Sequence, residues 1–117
     1  MSLEKKFSVR QEKINTSNLD GIIEGLEDTL KSLIEFKEEA IKNKEQNKED
    51  IARLALVEDF EGKESITNTF LDVDNKLGIM INSADEDIAE AQRKIAEFKS
   101  TREKMADFLE KFKGSIN

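Results

Sequence analysis

The chain has no cysteine, histidine, proline, tryptophan or tyrosine among its 117 residues. Each absence removes a class of chemistry or structure. Without His and Cys, the usual ligands of zinc, copper, iron and haem are missing. The commonest general base and the thiol nucleophile go with them. No metal site and no cofactor is expected. Carboxylates, Lys and Ser/Thr remain, but no constellation of them suggests catalysis, and the chain reads as a non-enzyme. Without Pro, nothing sharply interrupts a helix. A chain without Cys neither needs nor indicates an oxidising compartment. Long hydrophobic runs are missing too, since none approaches the ~20 residues of a membrane span. Residues 1–13 are polar and charged, so no cleavable signal peptide is visible. The expectation is a cytoplasmic protein, with any export following a route that needs no such leader.

What is present is charge and helix-forming residues. Charged residues make up 38% of the chain, and Lys, Glu, Ala, Leu and Ile all suit long helices. Few β-branched runs or turn clusters argue for a sheet. The fold class is all-α, in one domain. The net charge of −7 argues against nucleic acid, because phosphate binding needs a basic stripe and none occurs. The charge is also uneven. Residues 58–90 carry ten acids against Lys63 and Lys76, a balance of −8, whereas residues 91–117 carry seven bases against four acids. The plain reading is a solvated helix face whose sign varies along its length. The functional reading is a charge pattern that sets the register of a partner helix.

Residues 1–16 show no sustained period and read as a loose arm, and residues 17–117 as a helical hairpin. Ser17 and Asp20 form a weak capping pair. From Leu19, the apolar positions Ile22, Ile23, Leu26, Leu30, Leu33, Ile34, Ala40 and Ile41 describe one helical stripe. Gly21 and Gly25 weaken its first turns by ~1 kcal/mol each relative to Ala, while permitting close approach of another backbone. Residues 42–50 are polar throughout but contain no breaker. Either a loop interrupts there or one helix runs through, and keeping phase from Ile41 through Lys44 and Lys48 to Ile51 favours one helix. Lysine stems can cover a seam while their charges reach water. The first helix is expected over about 17–57.

A second stripe runs through Ile66, Phe70, Val73, Leu77, Met80 or Ile81, Ala84, Ile88, Ala91, Ile95, Phe98, Met105, Leu109 and Phe112, with Arg102 in one seam position. Its threes and fours predict a helix over about 65–113, with an extra residue near Ala84 acting as a stutter. A break between Gly78 and Ser83 is a further possibility, since Ser83 and Glu86 would make a capping box. Between the stripes, residues 58–64 form a turn. There Gly62 suits the left-handed position that ends a helix, and Ser65 or Glu64 can open the next. So short a connection makes the two helices antiparallel neighbours.

A two-helix hairpin buries one seam, and folds with little core are marginal. Apolar residues at the edges of the stripes or beside them, among them Ile23, Ile34, Phe36, Leu56, Leu71, Ile79 and Phe108, widen the apolar face beyond what one helix covers. It is widest in the last turns, where Met105, Phe108, Leu109 and Phe112 nearly adjoin. Either the chain folds back as a three- or four-helix bundle and hides this surface itself, or a partner covers it. The second is favoured, and the hairpin is expected to complete a four-helix bundle with that partner. Other motifs carry less. Asp72, Asp74 and Gly78 lack the spacing of a calcium loop, and Ser83 stands where a bidentate Glu is needed. The sequon at Asn15-Thr16-Ser17 means nothing without a secretory leader. Asp85-Glu86-Asp87 fits the first turn of a helix after Ser83.

The midpoint is more informative. A chain of this length, helical on both sides of an aromatic-x-Gly at Phe60-Glu61-Gly62, resembles the WXG100 (ESAT-6-like) superfamily. The resemblance covers residues 19–112 as architecture and three residues as motif, with Phe60 where the family has Trp. It implies a helical hairpin that pairs with another as a partner or substrate of type VII secretion. It also implies kinship with the small hairpins that bind the helical N-terminal region of LXG-type toxins. The family's export signal is an aromatic followed four residues later by an acid, near the end of the second helix. Phe70 and Asp74 have that spacing but follow the turn, and Phe98 and Phe108 are followed by Arg102 and Phe112. A core Phe and a surface acid is the plainer reading of Phe70 and Asp74, in which case the client carries the signal. The expected partner-binding residues are Phe60, Gly62, Phe70, Asp74, Phe98, Met105, Phe108 and Phe112. The alternative is a self-associating structural coiled coil, such as a phage or cytoplasmic scaffold.

Overall fold

In a computed structural model, the described residues are 3–116, with side chains described for 18–112. Two α-helices account for almost all of them, α1 over Leu3–Leu56 and α2 over Lys63–Ile116, with no strand among the described residues. The chain is an all-α helical hairpin. Helix α1 starts at Leu3, where the sequence pattern suggests an arm up to Thr16, and the side chains of residues 1–17 lie outside the described set. The polar stretch 42–50 is helical throughout, so the continuous reading holds. Its helix is supported on the solvent side by Gln46 donating to Asp50 at 3.1 Å and by Arg53 pairing with Glu49 and Asp50. Helix α2 likewise continues through Gly78 and Ser83 without a break.

The turn works differently from the expectation. Helix α1 already ends at Leu56, and Gly62 immediately precedes α2 rather than ending α1. The Lys63 amide donates to the Phe60 carbonyl at 3.1 Å, closing a four-residue turn whose third residue, Gly62, has φ +92°. A positive φ at that position is the mark of a type II turn and favours glycine. The Gly62 carbonyl then accepts from the Ile66 amide at 3.0 Å, the first rung of α2. Helix α2 therefore opens at Gly62, ahead of Glu64 and Ser65. Glu64 falls in its first turn, where the helix dipole favours an acid.

The chain divides into two compact units, residues 31–89 around the turn and residues 1–30 with 90–117. In each, an α1 segment packs on an α2 segment. The covered positions of the turn unit follow a heptad. On α1 they are Leu33, Lys37, Ala40, Lys44, Asn47, Ile51 and Leu54, and on α2 Thr67, Phe70, Asp74, Leu77, Ile81, Ala84 and Ile88. Asp50, Lys63 and Gly78 are half-buried beside this seam. The other unit shows the same alternation in Leu19, Ile23, Leu26 and Leu30, and in Ala91, Ile95, Phe98, Arg102, Met105 and Leu109. Steps of three and four continue through Thr67, Phe70 and Asp74, so the register has no stutter near Ala84. Ile66 and Val73, expected in the seam, are exposed, as are Ile22, Ile34 and Ile41 of α1. Little is fully covered: only Ala40, Ala84 and Asn47 are buried in the turn unit, and only Ile23, Ala91 and Ile95 in the other, among the described residues.

Candidate partner-binding site

The seam of the turn unit is polar where a coiled coil is normally apolar. At heptad position a of α1, Lys44 sits 29% exposed and reaches both carboxylate oxygens of Asp74, also in the seam, at 3.2 Å. One heptad earlier, Lys37 pairs with Asp85. Asn47, at a d position and only 7% exposed, donates its Nδ2 to the Phe70 carbonyl at 2.8 Å. A buried amide and a half-buried ion pair are met only in one register, so these residues fix how the two segments slide against each other. The sequence pattern nominates Phe70 and Asp74 as partner-binding. In the structure, both face α1 of their own unit, Asp74 as the partner of Lys44.

The two flanks of the seam differ. In an antiparallel pair, the e positions of both helices line one flank and the g positions the other. Ion pairs between the helices reach the e flank. In the turn unit it holds Asp85, bonded to Lys37, together with the exposed side chains Ile34, Ile41 and Leu71. Ile34 and Ile41 lie within about one turn of Lys37, one on either side of it. In the other unit Glu27 meets Lys99 at 3.9 Å, and Asp20 accepts from Arg102 at 3.0 Å. The g flank has no cross-helix ion pair among the described residues. In the turn unit it presents Phe36 from α1 and Ile66, Val73 and Met80 from α2, all exposed and the last three spaced by sevens. In the other unit it presents Ile22 and Phe108. A helix with apolar a, d and g positions is wide enough to contact two neighbours, whereas a strict two-stranded seam uses a and d alone.

The remaining sequence-nominated residues separate into two groups. Phe98 and Met105 are half-buried in the seam of their unit. Phe108, 66% exposed, stacks on Phe112 with ring centroids 6.3 Å apart and planes 16° from parallel. Phe60 is exposed at the turn beside Gly62, and it has company that apolar spacing alone does not single out as a group. Leu56 is 87% exposed, the most of any large apolar residue described, and Val57 follows it into solvent. Gly21 and Gly25 face open space: beyond the local helix backbone, no described atom lies within 4 Å of where a Cβ would stand.

Exposed pairs along α2 stabilise the helix rather than build a site. Arg93 bonds Glu90 and Glu97 at 2.6 Å each. The Arg93 hydrogen bond holds the Glu90 carboxyl below its ordinary range, and Glu90 in turn raises the Arg93 guanidinium. The Asp72 hydrogen bond similarly raises Lys76. Among the described residues, no group of three or more acids is placed to hold a metal ion, and no helix is long and apolar enough to cross a membrane. Comparison of the chain with protein-family models, with curated proteins and with solved structures finds no match.

Proposed function

We propose that this protein is a small helical adaptor that binds a helical client along its g flank and so completes a four-helix bundle. The observation that carries the reading is the asymmetry of the flanks. Ion pairs cross to the e flank, while Phe36, Ile66, Val73 and Met80 leave the g flank of the turn unit apolar and unbridged by charge. Covering a half-exposed side chain of this size contributes about 1 kcal/mol, so four such residues favour association substantially. The resemblance to the WXG100 superfamily supports a role in type VII secretion, as the hairpin that accompanies the helical region of an LXG-type toxin. With Asp74 engaged by Lys44, the export signal falls to the client.

The unbroken heptads favour a second reading, a structural coiled coil in which the client is another copy of the chain. Replacing Val73 and Met80 by Ser tests both. The double variant keeps the seam intact and is expected to retain its helicity. If the adaptor reading holds, it loses a co-expressed client while its own mass in solution is unchanged. Undiminished co-purification would sink the assignment of this flank. A gene for an LXG toxin or a secretion ATPase beside this one separates the secretion reading from the scaffold reading.

A further inference from the structure

The turn end carries an interaction surface distinct from the g flank. Leu56, Val57 and Phe60 form an exposed apolar tip within five residues. The Val57 amide donates to the Leu54 carbonyl at 3.1 Å, and Lys63 Nζ donates to the Val57 carbonyl. The tip is thus held in shape with its apolar side chains outward. Around it stand Glu58, Asp59, Glu61 and Glu64, none of which makes an ion pair among the described residues. The nearest cation in sequence, Lys63, already bonds a backbone carbonyl.

We propose that this tip docks a basic amphipathic helix of a partner protein. The partner's apolar residues cover Leu56, Val57 and Phe60, and its Lys and Arg side chains meet the four acids. Charge complementarity selects this occupant. An acidic partner or an anionic lipid surface is repelled by the net negative charge of four carboxylates against Lys63 alone, whereas a basic helix gains both contact area and attraction. A second copy of this chain could offer its own basic stretch within 91–117, and the experiment separates that case. The tip involves none of the g-flank residues, so either proposal can fail alone.

The probe is a fluorescein-labelled amphipathic peptide built from Leu, Ala and Lys, with a control in which every Lys is Glu. Anisotropy is followed as full-length protein is added. The Lys peptide is expected to saturate, to weaken with added salt and to ignore Val73→Ser. The control is expected not to bind. The triple change Glu58→Gln, Asp59→Asn and Glu61→Gln, and separately Leu56→Ser with Phe60→Ser, should each weaken binding on the order of tenfold. These residues lie outside the seam, and circular dichroism verifies that the variants stay helical. Absence of binding, or binding that both tip variants leave unchanged, overturns the proposal. So does a homodimer, seen by light scattering, that the tip variants dissolve.

Discussion

Replacing Asn47 by Leu puts the polar seam to a quantitative test. Asn47 is 7% exposed and donates to the Phe70 carbonyl, which lies inside α2 and has its own helical partner. Removing the amide therefore leaves no orphaned acceptor, and the loss is that of one neutral hydrogen bond, about 0.5–1.5 kcal/mol. Burying a Leu side chain in its place contributes about 1.5–3 kcal/mol, less roughly 0.5–1 kcal/mol of side-chain entropy. The net expectation is stabilisation by about 1 kcal/mol, seen as a rise in Tm of roughly 4 °C. The cost falls on specificity. A Leu at a d position accepts several registers and partners, so light scattering should detect oligomers that the parent chain lacks. Thermal unfolding by circular dichroism gives the first readout. A loss of more than about 1 kcal/mol would overturn this ordering of terms, because the hydrogen bond would then outweigh the burial.

Other residues give independent tests. Gly62→Ala meets no atom within 4 Å, so its only penalty is the positive φ; denaturant unfolding should show a loss of about 1 kcal/mol. Gly25→Ala, in a helix interior with open space, should instead gain roughly 0.5–1 kcal/mol in the same assay. Asp74→Ala strands Lys44 in the seam. At about one-quarter to one-third exposure the loss should fall between those of surface and buried pairs, about 1–2 kcal/mol, and a double-mutant cycle with Lys44→Ala isolates the pair. The folded Glu90 carboxyl titrates below its unfolded value, so its contribution is present above the unfolded pKa and disappears as pH falls through the folded one. A carboxyl NMR titration should find this depression abolished in Arg93→Ala and reduced in high salt.

The hairpin was legible because its signals are strong and local. No Pro interrupts either helix, and Gly62 is the only glycine between the two stripes. The seam register was not. Counting apolar residues keeps Ile22, Ile34 and Ile41 alongside the true seam residues Ile23, Leu33 and Ala40, and takes Ile66 and Val73 in place of Thr67 and Asp74. Lys37, Lys44 and Asn47 occupy seam positions because their stems or amide can be covered while a partner across the seam satisfies the polar end. Two strict seven-residue counts find them: Leu19, Leu26, Leu33, Ala40, Asn47 and Leu54 form one series, and Ile23, Leu30, Lys37, Lys44 and Ile51 the other. The apparent stutter near Ala84 arose from the same substitution of g positions for a positions. Part of the candidate site was visible, since Phe36, Leu56 and Phe108 stood off the stripes. The asymmetry of the flanks was not, because it depends on which charges cross between helices.

What matters most is whether the hairpin alone leaves an apolar flank open for another protein. Its solution mass by light scattering, across a wide range of concentrations, answers this. The expected result is a helical monomer near 13.4 kDa, self-associating weakly at high concentration through exposed apolar side chains. A dimer or tetramer that persists on dilution would be the contrary result, for the flank would then already be covered by a second copy.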